Sequence, residues 1–314
     1  MKIVVTGGAG FIGSNLVRVL LDVPRITEIV VVDDLSTGSL DNLLDLPIRL
    51  ITGTILDPEV LDEAMYGATS VVHLGALGSV PRSIDDPLRS HHANATGTLA
   101  VLEAARRHGV PHVVLASSSS VYGANPVLPR QEALRPMPIS PYAVSKLATE
   151  AYALAYASCY GLQVLPFRFF NVYGPRQAAD HAYAAVVPRF VSAALAGRPL
   201  EVHGDGTQTR DFTFVGSVTD VIVDAVLRRV SAPDVVNLAF GVRISLLEVI
   251  AELEVVLGRP LLVEYAPSRA GDVRDSQADS SRLSELFPAA RRYSLRTGLE
   301  ATVAWMADRV LTGG

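Results

Sequence analysis

Tyr142 and Lys146, in Tyr142-Ala143-Val144-Ser145-Lys146, stand four residues apart, the spacing that puts two side chains on one face of a helix. A phenol is a poor base at neutral pH because its ordinary pKa is about 10. An ammonium beside it, with any further positive charge that a bound cofactor brings, favours the phenolate and brings that pKa toward working pH. The pair then has the chemistry of a general base acting on a hydroxyl group. Composition singles out the lysine as well. Of 27 Lys and Arg residues only Lys2 and Lys146 are lysines, so 27 − 2 = 25 are arginines, and an ammonium at 146 departs from the chain's habit. A cluster of hydroxyls, Ser117-Ser118-Ser119-Ser120, follows an apolar run upstream of the pair.

A second constellation lies at the amino terminus. In Thr6-Gly7-Gly8-Ala9-Gly10-Phe11-Ile12-Gly13, the spacing Gly7-x-x-Gly10-x-x-Gly13 sits between a strand-like run and a helical pattern. Glycines there allow a tight turn, close backbone approach to a pyrophosphate and close helix–strand packing. The helix start offers unpaired N–H groups and the positive end of its dipole to phosphates. Asp33, 20 residues after Gly13, ends the next apolar run. A carboxylate there accepts the adenosine ribose hydroxyls and repels a 2′-phosphate, so the expected cofactor is NAD rather than NADP.

These groups need a scaffold. Ile3–Thr6, Ile29–Val32, Ile48–Ile51, Ser70–His73 and His112–Leu115 are short β-branched runs suited to buried parallel strands, and Gln163–Arg168 reads as another. Helical patterns at Ile12–Leu21, Glu59–Met65, His92–His108 and Pro141–Tyr160 alternate with them. That alternation predicts an α/β fold, a doubly wound parallel (Rossmann) sheet. Beyond Asn171 the spacing becomes irregular, which predicts a smaller interleaved α/β substrate domain at the carboxyl edge of the sheet. The expected division is 1–170 plus about 211–240 for the NAD-binding domain, and 171–210 plus about 241–314 for the other.

At 314 residues, 49% hydrophobic and 19% charged, the chain has a globular composition, not a disordered one. A net charge of −5 without a basic run leaves no electrostatic footprint for nucleic acid. The uncharged stretch Ala151–Phe167 holds Ser158, Gly161, Gln163 and Pro166, so it reads as a helix running into a strand, not a membrane span. Met1-Lys2 passes directly into Ile3-Val4-Val5, which predicts no secretory leader. The single Cys159 excludes internal disulfides and cysteine-rich metal sites; no metal is expected, and the compartment expected is the cytoplasm.

Taken together, Gly-x-x-Gly-x-x-Gly, Asp33, Ser-Ser-Ser-Val-Tyr-Gly, Tyr-x-x-x-Lys and Arg168-Phe169-Phe170-Asn171-Val172-Tyr173-Gly174-Pro175 resemble the extended short-chain dehydrogenase/reductase family, from Met1 to about Asp279. Within it the chain is most similar to the 4-epimerases of UDP-glucose and UDP-N-acetylglucosamine. The resemblance implies a catalytic triad of Ser118, Tyr142 and Lys146. It implies a cofactor site of Gly7, Gly10, Phe11, Ile12, Gly13, Asp33, Tyr142 and Lys146, with Asn94 nearby. For a UDP-sugar it implies Ser118, Tyr142 and a second hydroxyl at Ser119. Asn171, Arg210 and Arg269 would hold the pyrophosphate and Asp272 the ribose. His203 would lie beside the uracil and Ser276 beside the sugar ring. Relatives of this family usually dimerise through the helices matching His92–His108 and Pro141–Tyr160, so a homodimer is expected.

The 4,6-dehydratases of the family carry Asp-Glu directly before Val-Tyr-Gly, and the UDP-glucuronate decarboxylases a Glu. This chain has Ser119-Ser120 there, which leaves epimerisation. A small residue at 276, where a tyrosine accompanies restriction to UDP-glucose and UDP-galactose, points to N-acetylated sugars as well. UDP-glucuronate is the rival, yet Ala178-Ala179 lack the arginine of the uronate-specific subgroup. A reductase or another epimerase of a nucleotide sugar is a further alternative, and a non-catalytic NAD-sensing protein a remote one. Three positions depart from the pattern: Thr54 for an Asp near the adenine, Gly75 for an Ala, and Gly216-Ser217 for acidic residues.

Overall fold

The computed structural model describes residues 1–179, 184–267 and 274–312. Strands β1 (Lys2–Thr6), β2 (Glu28–Asp33), β3 (Arg49–Thr52), β4 (Ser70–His73), β5 (His112–Ser118) and β6 (Gln163–Phe169) fall where the β-branched runs place them. With β11 (Val236–Leu238) they form a seven-stranded sheet of order β11-β6-β5-β4-β1-β2-β3. Every pair in it is parallel. Chain order reverses at β1, where β2 lies on one side and β4 on the other, and ligands of such sheets bind outside the strand carboxyl ends at that point.

Both faces are covered, which is why the strands are apolar throughout rather than alternating. Ile3, Val5, Val31 and Val114 pack with α1 (Phe11–Leu21) and α8 (Val215–Arg228). Val4, Val30, Val71 and Val113 pack on the other face with α2 (Pro58–Met65), α5 (Gly97–Arg107) and α6 (Pro141–Tyr160). A third core unites β7 (Val172–Tyr173), α7 (Val186–Leu195), β8 (Leu200–His203), α9 (Leu246–Leu257) and α11 (Leu295–Thr312), through Tyr173, Phe190, Val202, Leu253 and Leu299. Short ladders serve this part: β8 pairs with β13 (Val263–Ala266), β9 (Thr209–Arg210) with β12 (Ile244–Ser245), and β10 (Thr213–Phe214) with β7.

One expected helix differs. Instead of a helix beginning at His92, α3 (Val80–Asp85) leads to α4 (Pro87–His91), which continues through a π turn at His92–Thr96 into α5. Asp86 caps this run, its carboxylate accepting from the Arg89 N–H at 3.0 Å, with Pro87 at the first helical position. A short helix, α10 (Ser281–Leu286), completes the elements.

Beneath the sheet edge a charged group sets helix α6. Glu150, 2% exposed, accepts two hydrogen bonds from Arg168 on β6 (Nε 2.9 Å, Nη2 2.8 Å) and one from the Ser117 hydroxyl on β5 (2.5 Å). Removing one member of such a buried pair strands the other charge, so Glu150→Ala is expected to cost about 3–5 kcal/mol in chemical unfolding. Removing the exposed partner of the Glu103–Arg106 pair on α5 is expected to cost about 0.5 kcal/mol or less. Equal effects of the two substitutions would contradict this placement.

Candidate active site

A cleft of about 1160 Å³ opens above the carboxyl ends of the central strands. Its floor at one end is the turn from β1 into α1. Gly7 adopts φ +72°, and a Cβ there would lie 2.7 Å from the Gly75 nitrogen; a Cβ on Gly13 would lie 2.2 Å from the Gly7 carbonyl oxygen. Only glycine fits at either position. Gly10 starts α1 with no side-chain cap, so the first helical N–H groups point into a cleft that Gly7, Gly10, Phe11, Ile12 and Gly13 all line. Asp33 stands at the edge of this floor. Its Oδ2 accepts from the Ala9 N–H and its Oδ1 from the Leu35 N–H, both at 2.9 Å, which locks the carboxylate's orientation. Burial raises its pKa against those two N–H bonds. A turn that no Cβ can enter, an uncapped helix start and an oriented carboxylate fit a dinucleotide pyrophosphate and ribose.

At the opposite end lie Ser118, Tyr142 and Lys146. The Ser140 hydroxyl accepts from the Ala143 N–H at 3.2 Å and Pro141 follows it, so α6 begins where Tyr142 occupies its first turn. Lys146, one turn deeper and 6% exposed, donates from Nζ to the Ala116 carbonyl at 2.9 Å. Burial pushes its pKa down to about 8, opposed by the Glu150 carboxylate. The lowered phenol pKa expected from the lysine and the cofactor's positive charge together is not the state of the protein alone. Burial raises the pKa of Tyr142, and only the hydrogen bond with Ser118 lowers it. In the protein alone desolvation outweighs that hydrogen bond.

Comparison with known proteins fixes what such a cleft belongs to. Residues 3–239 match the model of the NAD-dependent epimerase/dehydratase family. The chain belongs to this family. It is 37% identical to the UDP-glucose 4-epimerase of Mycolicibacterium smegmatis, over 98% of this chain and 99% of that one. Its structure is similar to that of the UDP-N-acetylglucosamine 4-epimerase of Methanobrevibacter ruminantium in complex with UDP-N-acetylmuramic acid (TM-score 0.93, 34% identity, 98% of each chain). It is also similar to the UDP-glucuronic acid 4-epimerase of Bacillus cereus in complex with UDP-glucuronic acid and NAD (TM-score 0.89, 31% identity, 98% and 99% of the chains). NAD is the cofactor of this epimerase/dehydratase cleft.

The structure brings the glycines, Asp33, Ser118, Tyr142, Lys146 and Asn171 onto one wall system. Asn171 has φ 31°, a left-handed turn that asparagine tolerates and that carries the chain out of β6 into β7. Asn94 lies behind the wall, 1% exposed. Its Oδ1 accepts from the Leu77 N–H (2.8 Å) and its Nδ2 donates to the Leu77 carbonyl (3.2 Å) and Ser145 Oγ (2.9 Å). It therefore holds the loop after β4, which lines the cleft, against α6. Ser119 opens a 3-10 turn at Ser119–Tyr122, outside the lining. Arg210, His203 and Ser276 also lie outside it. Arg210 Nη1 donates to the Thr209 and Arg274 carbonyls, both at 2.9 Å, and the Ser276 N–H to the Thr209 carbonyl at 3.1 Å. His203 sits on β8 with Nδ1 3.1 Å from the Pro267 carbonyl oxygen and Nε2 3.0 Å from Glu201. Arg269 and Asp272 fall outside the described residues. Thr54 lines the cleft, its hydroxyl accepting from the Leu56 N–H at 3.2 Å.

Sequence reasoning passed over His73, taken only as the end of a strand. It is buried between the Thr6 hydroxyl (2.7 Å from Nδ1) and the Thr98 hydroxyl (3.1 Å from Nε2), and burial with the Lys146 charge drives its pKa to about 3. Thr6 Oγ1 in turn accepts from the Gly75 N–H at 3.2 Å, so a neutral imidazole helps set the loop above the pyrophosphate turn. No described helix is long and apolar enough to cross a membrane, and among the described residues no His, Cys, Asp or Glu cluster could hold a metal.

Lys146 makes a pH prediction. Its folded pKa, about 8, lies below the 10.5 of the free side chain. Between these values the unfolded chain binds more protons, so stability rises with pH. The penalty of burying the ammonium is complete below about pH 8 and gone by about pH 10.5. Lys146→Met is therefore expected to be at least as stable as the wild type at pH 7, and to lose the rise, in thermal unfolding at pH 7 and 9. A variant clearly less stable at pH 7 would contradict it.

Proposed function

We propose that the protein is a UDP-hexose 4-epimerase that interconverts the N-acetylglucosamine and N-acetylgalactosamine forms, and the glucose and galactose forms, through a transient 4-keto sugar. The observation that carries this reading is the make-up of the cleft around Tyr142. Among the described residues, Ala116, Ser117, Ser118, Phe169, Asn171 and Gln177 face it there, and the carboxylates on the lining, Asp33 and Asp34, stand at the other end. Eliminating water from a sugar needs an acid and a base beside the reacting carbons. Epimerisation at C4 needs only a base for the hydroxyl proton and a sugar free to present its other face.

When bound, NAD supplies the hydride acceptor for C4 and the donor that restores it. The protein supplies the proton handling and the grip. Tyr142 Oη takes the C4 hydroxyl proton and later returns one. The Ser118 hydroxyl, already hydrogen-bonded to Tyr142, donates to the same sugar oxygen and favours its developing charge. Lys146, bonded to the Ala116 carbonyl and in the field of Glu150, would hold the nicotinamide ribose and keep a positive charge in the site. Tyr142 would come down from its raised value under the added positive charge of a bound, oxidised cofactor. Asn171, Arg210, Arg269 and Asp272 anchor the nucleotide, with His203 beside the base, so that only the sugar turns. Residues 1–170 with about 211–240 form the NAD unit in this reading, and 171–210 with about 241–314 the nucleotide-sugar unit. The separate core around Phe190, Val202 and Leu299 supports that division, except that Leu283 of α10 and Phe287 just after it pack into the sheet core and Phe212 into the other.

Tyr142→Phe is expected to lower turnover at least about 10³-fold while UDP binding stays near that of the wild type, because the base is lost but not the anchor. Near-normal turnover would refute the assignment. Sugar size provides a second test. Both UDP-N-acetylglucosamine and UDP-glucose are expected to be substrates, and Ser276→Tyr to abolish conversion of the first alone. A variant that keeps its N-acetyl activity would refute the role of Ser276 without touching that of Tyr142.

A further inference from the structure

Asp211 lies between β9 and β10 and is wholly buried. Its Oδ2 accepts from the Ala278 N–H at 3.1 Å. The backbone N–H groups of Ala278, Phe240, Val242 and Gly241 oppose the burial that raises its pKa to about 6. They do so without closing a full hydrogen bond to Oδ1, which has no partner in the structure. Two strand positions on, the buried Thr213 hydroxyl is unpartnered as well. A buried carboxylate that is incompletely bonded contributes little to stability, and apolar replacements of such groups are often tolerated. Its place in the fold accounts for it better.

The two segments facing Asp211 converge on the nucleotide-sugar side. Residues 274–278 run along β9: the Thr209 N–H donates to the Arg274 carbonyl (3.1 Å), the Ser276 N–H to the Thr209 carbonyl (3.1 Å), and the Thr209 hydroxyl to Asp275 Oδ1 (2.5 Å). Gln277 Nε2 donates to the Gly241 carbonyl at 2.8 Å and ties the segment to the turn at 239–242. In the other direction the Thr213 N–H donates to the Asn171 carbonyl at 3.3 Å, on the cleft itself. Asp211 thus sits between Asn171 and Ser276.

We propose that Asp211 is a positioning residue for the nucleotide diphosphate: its carboxylate draws the 274–278 segment and the 239–242 turn onto β9, and so sets substrate affinity without touching substrate. The inference rests on the functional reading above, in which β9 and its neighbours hold the nucleotide. An all-acceptor group is required, because the donors come from both segments at once. Asparagine has the same shape but turns an NH₂ toward one set of N–H groups.

The test uses the full chain with its bound NAD. In Asp211→Asn, the Kd for UDP by calorimetry and the KM for the UDP-sugar are expected to rise about tenfold or more, with kcat within about threefold and NAD content unchanged. Unchanged Kd and KM would overturn the proposal. So would a loss of kcat and NAD content in step with them, the mark of a general structural defect. Thr209→Val, which leaves the carboxylate in place and removes the Asp275 bond, is expected to raise KM several-fold with kcat retained. If Asp211→Asn does not fold, this variant decides, and an unaltered KM overturns the proposal. A wild type that binds no UDP refutes the functional reading and the clamp with it. A wild type that binds UDP no better than both variants refutes the clamp alone.

Discussion

The Glu150 carboxylate is the contact on which the active site depends. It lies in the interior where a lone charge is costly, and it remains there because Arg168 grips both of its oxygens and Ser117 one of them. Arg168 is held in turn, its guanidinium 4.6 Å from the centre of the Tyr122 ring and its Nη1 3.3 Å from the Glu132 carbonyl. Three elements, β5, β6 and α6, therefore meet at one carboxylate. Lys146 is four residues before it on α6 and Tyr142 eight, the same helix face. Fixing Glu150 fixes the rotation of that face toward the cleft. Its charge also opposes the burial that lowers the pKa of Lys146.

The cleft has two chemical ends. One is backbone: a turn stripped of Cβ atoms, an uncapped helix start, and a carboxylate whose lone pairs are aimed by two N–H groups. It binds by shape and fixed dipoles. The other end has a phenol, a hydroxyl and an ammonium withdrawn from water, where desolvation magnifies every charge. The raised Tyr142 pKa follows from that design. In the proposed reaction, a phenol that is neutral in the protein alone would become a base only when a bound cofactor's positive ring draws it toward ionisation.

Much of this was legible in the sequence, for physical reasons. Strands buried on both faces need continuous β-branched runs, and all six strands read from such runs fall there. A turn pressed against a pyrophosphate needs glycine, and a helix pair four apart shares a face. What escaped depends on contacts between distant residues. That Asn94 braces Leu77 against Ser145, across 17 and 51 residues of sequence, is one such contact. His73 is explained only by Thr6 and Thr98, and the π turn at His92–Thr96 has no local signature. The lowered Tyr142 pKa is an expectation for the phenol with both the lysine and the cofactor's positive charge beside it; that burial raises it in the protein alone is not visible in spacing. Ladders of two to four residues, such as β9 with β12, are too short to announce themselves in periodicity.

The central claim is that hydride leaves C4 of a UDP-sugar and returns to the same carbon. Substrate deuterated at C4 tests it most directly. Converted by the purified protein with no cofactor added, UDP-[4-²H]glucose should give a C4 epimer of unchanged mass that keeps the deuterium at C4. A product lighter by one water, with the label moved to C6, or an epimer whose label has been lost to solvent, would contradict the account.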